Sequence, residues 1–119
     1  MKHILAVDDN PANLTLVRET LKDLYKVTVV TSGEQAIHFL EKKECDLILL
    51  DVCMPGMDGL ETLETINQMD ITKPQVIFLT ALADKDLIED GKALGAAACI
   101  AKPFVPADMV ASIKEAVGE

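Results

Sequence analysis

Carboxylates stand at the ends of two apolar runs in this 119-residue chain. Asp51 follows the run over residues 47–50, and the pair Asp8 and Asp9 follows the run over residues 4–7. Such runs are typical of strands that a parallel sheet buries on both faces, and the ligands of such sheets bind at the carboxyl ends of the strands. Each like-charged pair at about 4 Å costs about 4 kcal/mol at an effective dielectric constant near 20. A bound cation would offset this repulsion, so we expect a cation among the three carboxylates.

Two further polar residues, Thr80 and Lys102, also end apolar runs. Taken alone, each has an ordinary explanation, because threonine often ends a strand and lysine usually lies on the surface. Beside the carboxylates, however, a lysine supplies a positive charge and a threonine supplies a hydroxyl donor, and both stabilise an anion. Whether Thr80 and Lys102 are functional residues therefore depends on how the strands that carry them are arranged.

That arrangement follows from five apolar runs that alternate with helical patterns. The sequence predicts strands over residues 3–9, 26–31, 46–51, 75–80 and 97–102. Apolar residues at helical spacing mark five helices: Leu14, Val17, Leu21 and Leu24; Ala36, Ile37 and Leu40; Leu60, Leu63 and Ile66; Leu87, Ile88 and Leu94; and Met109, Val110, Ile113 and Val117. Local signals set the helix ends: Asn10 and Pro11 open the first helix, Asp58 caps the third, Gly95 ends the fourth and Pro106 opens the last.

Strands and helices that alternate in this way form a parallel sheet with right-handed crossovers and helices on both faces. The predicted fold is α/β, a flavodoxin-like (βα)5 three-layer sandwich whose five-stranded parallel sheet has the order 2-1-3-4-5. The second strand alternates partly and suits an edge. This order brings together the ends of the strands that carry Asp8, Asp9, Asp51, Thr80 and Lys102.

The composition limits the classes of function. The length suits one domain over residues 1–119, with enough chain to bury a core without disulfides. The net charge of -9 argues against direct nucleic-acid binding, which needs clustered Lys and Arg. The sequence has neither a signal-peptide pattern nor an apolar run long enough to span a membrane, so we expect a cytoplasmic protein without a membrane partner.

The three cysteines, Cys45, Cys53 and Cys99, form no CxxC pair and do not indicate a zinc or redox site. Each lies in or beside an apolar strand, where we expect it to pack as a small hydrophobic residue.

Four short motifs resemble those of the receiver domains of bacterial two-component response regulators, and the resemblance covers the full length of the chain. One acidic pair would be weak evidence, but four motifs in this order point to the family. They follow four of the predicted strands: Val7-Asp8-Asp9; Leu50-Asp51 with Met54-Pro55-Gly56-Met57-Asp58-Gly59; Leu79-Thr80-Ala81; and Lys102-Pro103-Phe104.

The resemblance implies a phosphorylation-controlled switch of a two-component system, and not a turnover enzyme. Asp51 would accept a phosphoryl group from a phosphohistidine on a histidine kinase or a histidine phosphotransfer protein, as carboxylates do in some ATPases. Thr80 and Lys102 would contact the phosphoryl oxygens. The affinity for an output domain or target protein, which the sequence does not identify, would then change.

Mg²⁺ is the cofactor that the resemblance implies. Asp9 and Asp51 would supply oxygen ligands, Asp8 would act through a bound water, and the backbone carbonyl of Cys53 would be a further ligand. The resemblance also predicts a cis peptide bond between Lys102 and Pro103.

The chain departs from the family pattern at Cys99, where receivers usually carry Tyr or Phe three residues before the lysine. In the family, the threonine moves toward the phosphoryl group and this ring turns inward, but a cysteine has no ring to move. How the face of the fourth helix, fifth strand and fifth helix reports phosphorylation is therefore open. Gly91, inside the fourth helix, costs about 1 kcal/mol relative to alanine, which predicts a looser helix.

Two other positions, Cys53 and Leu82, flank the path of the attacking water in the family. Neither side chain holds a water as an amide or a carboxylate would, so we predict a long-lived phosphorylated form.

Three alternative functions can be compared with the sequence. A Mg²⁺-dependent aspartyl-phosphate hydrolase of the haloacid-dehalogenase type would need a second Asp at position 53, where this chain has Cys53. A flavin carrier would need a Ser/Thr/Gly-rich loop after the first strand, where this chain has Asp8 and Asp9. A phosphorylation-independent docking module would not need the intact acidic set. Whether the chain is a standalone regulator or part of a longer protein stays open.

Overall fold

A computed structural model describes residues 1–80 and 85–119, apart from the side chains at positions 85 and 87. Within these residues five strands alternate with five helices. The strands are β1 (His3–Val7), β2 (Lys26–Val30), β3 (Leu47–Asp51), β4 (Gln75–Thr80) and β5 (Ala98–Ala101). The helices are α1 (Pro11–Leu21), α2 (Gly33–Lys42), α3 (Gly59–Gln68), α4 (Lys85–Ala93) and α5 (Pro106–Val117).

The strands form one parallel sheet of order β2-β1-β3-β4-β5, which confirms the predicted topology. The central strand β3 is buried along its whole length, because helices cover both faces of the sheet. The edge strand β2 is exposed or half-buried at every position, as its partial alternation predicted.

Two hydrophobic cores lie on opposite faces of the sheet. On one face, α1 and α5 pack against residues such as Leu49 and Leu79. On the other, α2 and α3 pack against residues such as Leu50 and Phe78. Side chains alternate between faces along each strand, so a single run of apolar residues in β3 and β4 fills both cores.

The first helix ends earlier than its apolar pattern predicted. Helix α1 stops at Leu21, and the amides of Leu24 and Tyr25 both donate to the Leu21 carbonyl. Because the chain leaves the helix there, Leu24 is exposed and Tyr25 enters the core, so the assignment of Leu24 to the helix was wrong. Asn10 and Pro11 open α1 as predicted, and the side chain of Asn10 accepts a hydrogen bond from the Ala12 amide.

Helix α4 ends at Ala93, just before the predicted stop at Gly95. Gly95 has a positive φ of 101°, its amide donates to Lys92, and the next amide, of Ala96, donates to Gly91. This is the Schellman pattern, in which a glycine satisfies the last carbonyls of a helix. Across the described residues, no helix combines the length and the apolar character that crossing a membrane requires.

Candidate functional site

The carboxyl ends of β1 and β3 bring three carboxylates together. Carboxylate oxygens of Asp8, Asp9 and Asp51 lie within 4.8 Å of one another. Asp8 is 2% exposed and Asp51 is 4% exposed, whereas Asp9 faces solvent. The cluster arises because β1 pairs directly with β3, and the ladder ends at Val7 and Leu50. The first strand thus ends slightly earlier than predicted, and Asp8 and Asp9 follow β1 instead of closing it.

Lys102 lies between two of these carboxylates. Its Nζ is 2.9 Å from Oδ2 of Asp8 and 3.1 Å from Oδ1 of Asp51, and its side chain is 17% exposed. The Lys102 amide donates to the carbonyl of Thr80, which fixes the chain where β5 ends beside β4. The peptide bond between Lys102 and Pro103 is cis, as predicted.

Burial and the neighbouring charges change the pKa of Asp51. Burial raises the pKa of Asp51 to about 6, and the charge of Asp8 acts in the same direction. Lys102 and the backbone N–H of Cys53 oppose the rise by stabilising the carboxylate. Burial alone would lower the pKa of Lys102, but its bonds to Asp8 and Asp51 outweigh burial and raise it. Lys102 therefore stays positively charged, but because it is shared by Asp8 and Asp51 it does not fully offset the rise in the pKa of Asp51.

Asp8 is held from two sides by residues that the sequence analysis did not single out as ligands. Its Oδ1 accepts the backbone N–H of Asn10 at 2.9 Å, and its Oδ2 accepts the side-chain amide of Asn13 at 3.1 Å. Asn13 lies in the first turn of α1, three residues after the N-cap. The sequence feature that could have identified Asn13 as a partner of Asp8 is its position, five residues after Asp8 and in the first turn of a predicted helix.

The loop after β3 returns closely to the strand end. The Gly59 amide donates to the Val52 carbonyl at 2.9 Å, and a Cβ on Gly59 would lie only 2.5 Å from the backbone oxygen of Asp51. Asp58 caps α3 as predicted, and forms a reciprocal capping box with Glu61. The absence of a side chain at position 59 therefore lets the start of α3 support the backbone that carries Asp51.

Thr80 is the last residue of β4 and is 4% exposed. Cys53 is exposed, which corrects the expectation that all three cysteines pack as small hydrophobic residues; the chain has already left the buried strand at Asp51. Cys45 and Cys99 are half-buried and pack against the core, as expected. Leu82, which the sequence analysis placed beside the water path, lies outside the described residues.

The departure at Cys99 has a structural counterpart on the neighbouring strand. Cys99 pairs in register with Phe78 of β4, and the Phe78 ring is fully buried. A Cβ on Gly91 would lie 2.6 Å from the Cε2 atom of that ring. Gly91 thus provides space for Phe78, a packing reason that the interpretation of a looser helix did not include.

The donor set fits a hard divalent cation. Three carboxylates converge at one point, and oxygen ligands are those that Mg²⁺ prefers. Burial and the charge of Asp8 raise the pKa of Asp51, so a cation bound beside it would stabilise the charged carboxylate. The arrangement can therefore hold a cation, and it keeps one lysine beside the most buried acids.

Comparisons with known proteins agree with this geometry. A family model described as the response regulator receiver domain matches residues 4–114. Sporulation initiation phosphotransferase F of Bacillus subtilis is 39% identical over 102 residues, which cover 85% of this chain and 82% of that protein. The nitrate/nitrite response regulator protein NarL of Escherichia coli is 34% identical over 116 residues, which cover 95% of this chain and 53% of NarL, so the chain spans about half of that relative.

A solved structure is similar over almost the whole chain. It is the receiver domain of the sensor histidine kinase PA1611 from Pseudomonas aeruginosa, described with a magnesium ion coordinated in the active site cleft. The TM-score is 0.89 at 32% identity, with 99% of this chain and 98% of that chain covered.

Proposed function

The chain belongs to the response regulator receiver domain family, and from that premise we propose that Asp51 accepts a phosphoryl group from a phosphohistidine and thereby switches the affinity of the protein for a target. A carboxylate oxygen of Asp51 attacks the phosphorus, the phosphorus–nitrogen bond breaks, and the electron pair stays on the imidazole of the donor. The product is an aspartyl-phosphate on Asp51.

One observation carries the proposal: Lys102 lies 3.1 Å from Asp51 and 2.9 Å from Asp8 at the sheet edge where the acids converge. Charge in phosphoryl transfer is spread over three equatorial oxygens, so catalysis consists mainly of positioning and neutralisation. Lys102 is close enough to turn from the carboxylates to those oxygens. Thr80, at the end of the adjacent strand, would donate its hydroxyl to one of them.

Mg²⁺ is the proposed cofactor, with Asp9 and Asp51 as direct ligands, Asp8 acting through a water and the backbone carbonyl of Cys53 as a further ligand. When bound, the ion neutralises charge on the carboxylates and the transferring group. The magnesium ion described for the PA1611 receiver domain supports Mg²⁺ as the cofactor, because the two folds match over almost their whole length.

The proposed partners are a histidine kinase or a histidine phosphotransfer protein as donor, and an output domain or separate protein as target. The chain catalyses only its own modification and turns over no external substrate. The relatives include a phosphotransferase of similar length and a regulator about twice as long, so both a phosphorelay and control of an attached domain are compatible with the family. A hydrolase is disfavoured, since Cys53 stands where such enzymes place their acid/base Asp.

The test is phosphorylation by acetyl phosphate with Mg²⁺, followed by intact-mass measurement. We expect a gain of one phosphoryl group in the natural protein and none in Asp51→Asn. Asp58→Asn is the matched control, because asparagine also caps helices and the change leaves the acidic cluster intact. An equal mass gain in Asp51→Asn would contradict the assignment of the acceptor.

A further inference from the structure

We propose that Asn13 is a positioning residue of the acidic site: its side-chain amide holds Asp8 in the orientation that Mg²⁺ binding requires. This inference rests on the proposed function and adds to it a residue of α1 that does not itself contact the metal or the phosphoryl group.

The hydrogen bonds of Asp8 support the assignment. Its side chain is only 3% exposed, so the carboxylate depends on protein donors for most of its solvation. Oδ1 accepts the Asn10 amide at 2.9 Å, and Oδ2 accepts both Asn13 Nδ2 at 3.1 Å and Lys102 Nζ at 2.9 Å. The lysine donor is shared with Asp51, whereas the Asn13 side chain donates to Asp8.

The position of Asn13 explains how the bond forms. Helical side chains lean toward the N-terminus of their helix, so a residue in the first turn of α1 reaches back over the loop that carries Asp8. Leucine would favour the helix more than asparagine, and an acid would suit the positive end of the helix dipole. The first turn of α1 nevertheless contains no acid. A neutral donor is the side chain that stabilises Asp8 without adding to the repulsion in the cluster.

Asn13 becomes more important to the orientation of Asp8 during phosphoryl transfer. In the proposed transfer Lys102 turns toward the phosphoryl oxygens, and Oδ2 of Asp8 then loses its charged donor. The amides of Asn10 and Asn13 remain, and they keep the carboxylate aimed into the cleft. Groups that orient a direct metal ligand change metal affinity about 10- to 100-fold when removed. Asp8 acts through a bound water and so lies one step further from the ion, which places the expected effect of Asn13 at the low end of that range.

The experiment measures the Mg²⁺ dissociation constant by isothermal titration in the full chain, without any phosphoryl donor. Asn13→Leu removes the donor and keeps the branched shape, and we expect it to weaken Mg²⁺ binding about tenfold, the low end of that range. Asn13→Gln retains an amide and should recover most of the affinity. Asn67→Leu is the matched control, because it removes a side-chain amide that donates to the Leu94 carbonyl at 2.8 Å, away from the acids.

Thermal unfolding in a chelator separates positioning from folding. The lost hydrogen bond to the buried Asp8 carboxylate lowers stability, and the better helix propensity of leucine offsets part of that loss, so Asn13→Leu should unfold several degrees below the natural protein and still be folded at 25 °C. Unchanged Mg²⁺ affinity in Asn13→Leu, or an equal loss in Asn67→Leu, would overturn the role of Asn13 and leave the proposed function intact. A natural protein that neither binds Mg²⁺ nor gains a phosphoryl group would overturn both.

Discussion

Asp51 links the chemistry of the site to the stability of the fold. Its pKa in the folded chain, about 6, lies above the ordinary value of 3.8, mainly because the carboxyl group is buried. The protonated form therefore favours folding. The corresponding stability is fully present below about pH 4 and is lost as the pH rises through about 6. At neutral pH the charged Asp51 destabilises the metal-free protein.

Asp51→Asn should consequently stabilise the metal-free protein at about pH 7.5. The pKa of about 6 already includes the opposing effect of Lys102, and each unit of the rise corresponds to about 1.4 kcal/mol, so we expect a gain of about 1–3 kcal/mol. The gain should vanish as the pH falls from about 6 to about 4. Urea unfolding in a chelator across this range measures it, and a gain that does not depend on pH would show that the burial of a charged carboxylate is not its cause.

The acids, Lys102 and the strand ends could be predicted because each follows a buried apolar run, and the sheet order then determines which ends meet. The role of Asn13 could not be predicted, because a hydrogen bond between a helix side chain and the preceding loop depends on the direction in which the helix leaves that loop. Cys53 was misjudged for a related reason: its neighbours in sequence are apolar, but the chain has turned out of the sheet before reaching it.

The lifetime of the phosphorylated form stays a prediction at the residue scale. Cys53 is exposed and offers neither an amide nor a carboxylate to orient an attacking water, and Leu82 is apolar. Orientation of a reactant can supply several kcal/mol, and about 1.4 kcal/mol already changes a rate tenfold. The variant Cys53→Asn, Leu82→Glu should lose its phosphoryl group at least several-fold faster, followed by intact mass after the donor is removed.

An equal rate of loss in the natural protein and the double variant would contradict the water-positioning argument. Each single variant serves as a control, because it shows which position supplies the effect.

Among the elements, α4 packs closely against a buried aromatic ring at Gly91. Helix propensity alone says that Gly91→Ala should stabilise α4 by about 1 kcal/mol. The packing predicts the opposite change in stability, since the new methyl group would lie 2.6 Å from the buried Phe78 ring. We expect the contact to dominate and Gly91→Ala to lower the free energy of unfolding by about 1–3 kcal/mol, as overpacking does.

The double variant Gly91→Ala, Phe78→Leu tests whether this contact is the cause. The smaller leucine side chain should leave room for the methyl group, so the two changes together should cost less than the sum of the single changes, by about 0.5–3 kcal/mol. Additive free energies from urea unfolding would show that Gly91 serves another purpose.

At the scale of the whole molecule, the repulsion among Asp8, Asp9 and Asp51 is confined to the carboxyl ends of the strands, and the rest of the sheet is largely apolar. Two cores on opposite faces of the sheet stabilise the fold, and β3 is buried throughout between them. The position of the acids followed from topology, because parallel strands joined by crossovers place all their carboxyl ends on one side. The fold can tolerate the cluster because the rest of the molecule supplies the stability.

Mg²⁺ should therefore stabilise the whole domain by relieving that repulsion. An ion that binds only the folded chain adds about 2.7 kcal/mol at one hundred times its dissociation constant. The chain carries a net charge of -9, so a divalent cation also screens charge in general, and the measurement must separate the two effects. Thermal unfolding with and without millimolar Mg²⁺ should show a clear shift in the natural protein and in Asp23→Ala, and little in Asp9→Ala. Asp9 and Asp23 are both exposed acids, and only Asp9 belongs to the cluster. Equal shifts in the two variants would mean that Mg²⁺ acts by screening and not at this site.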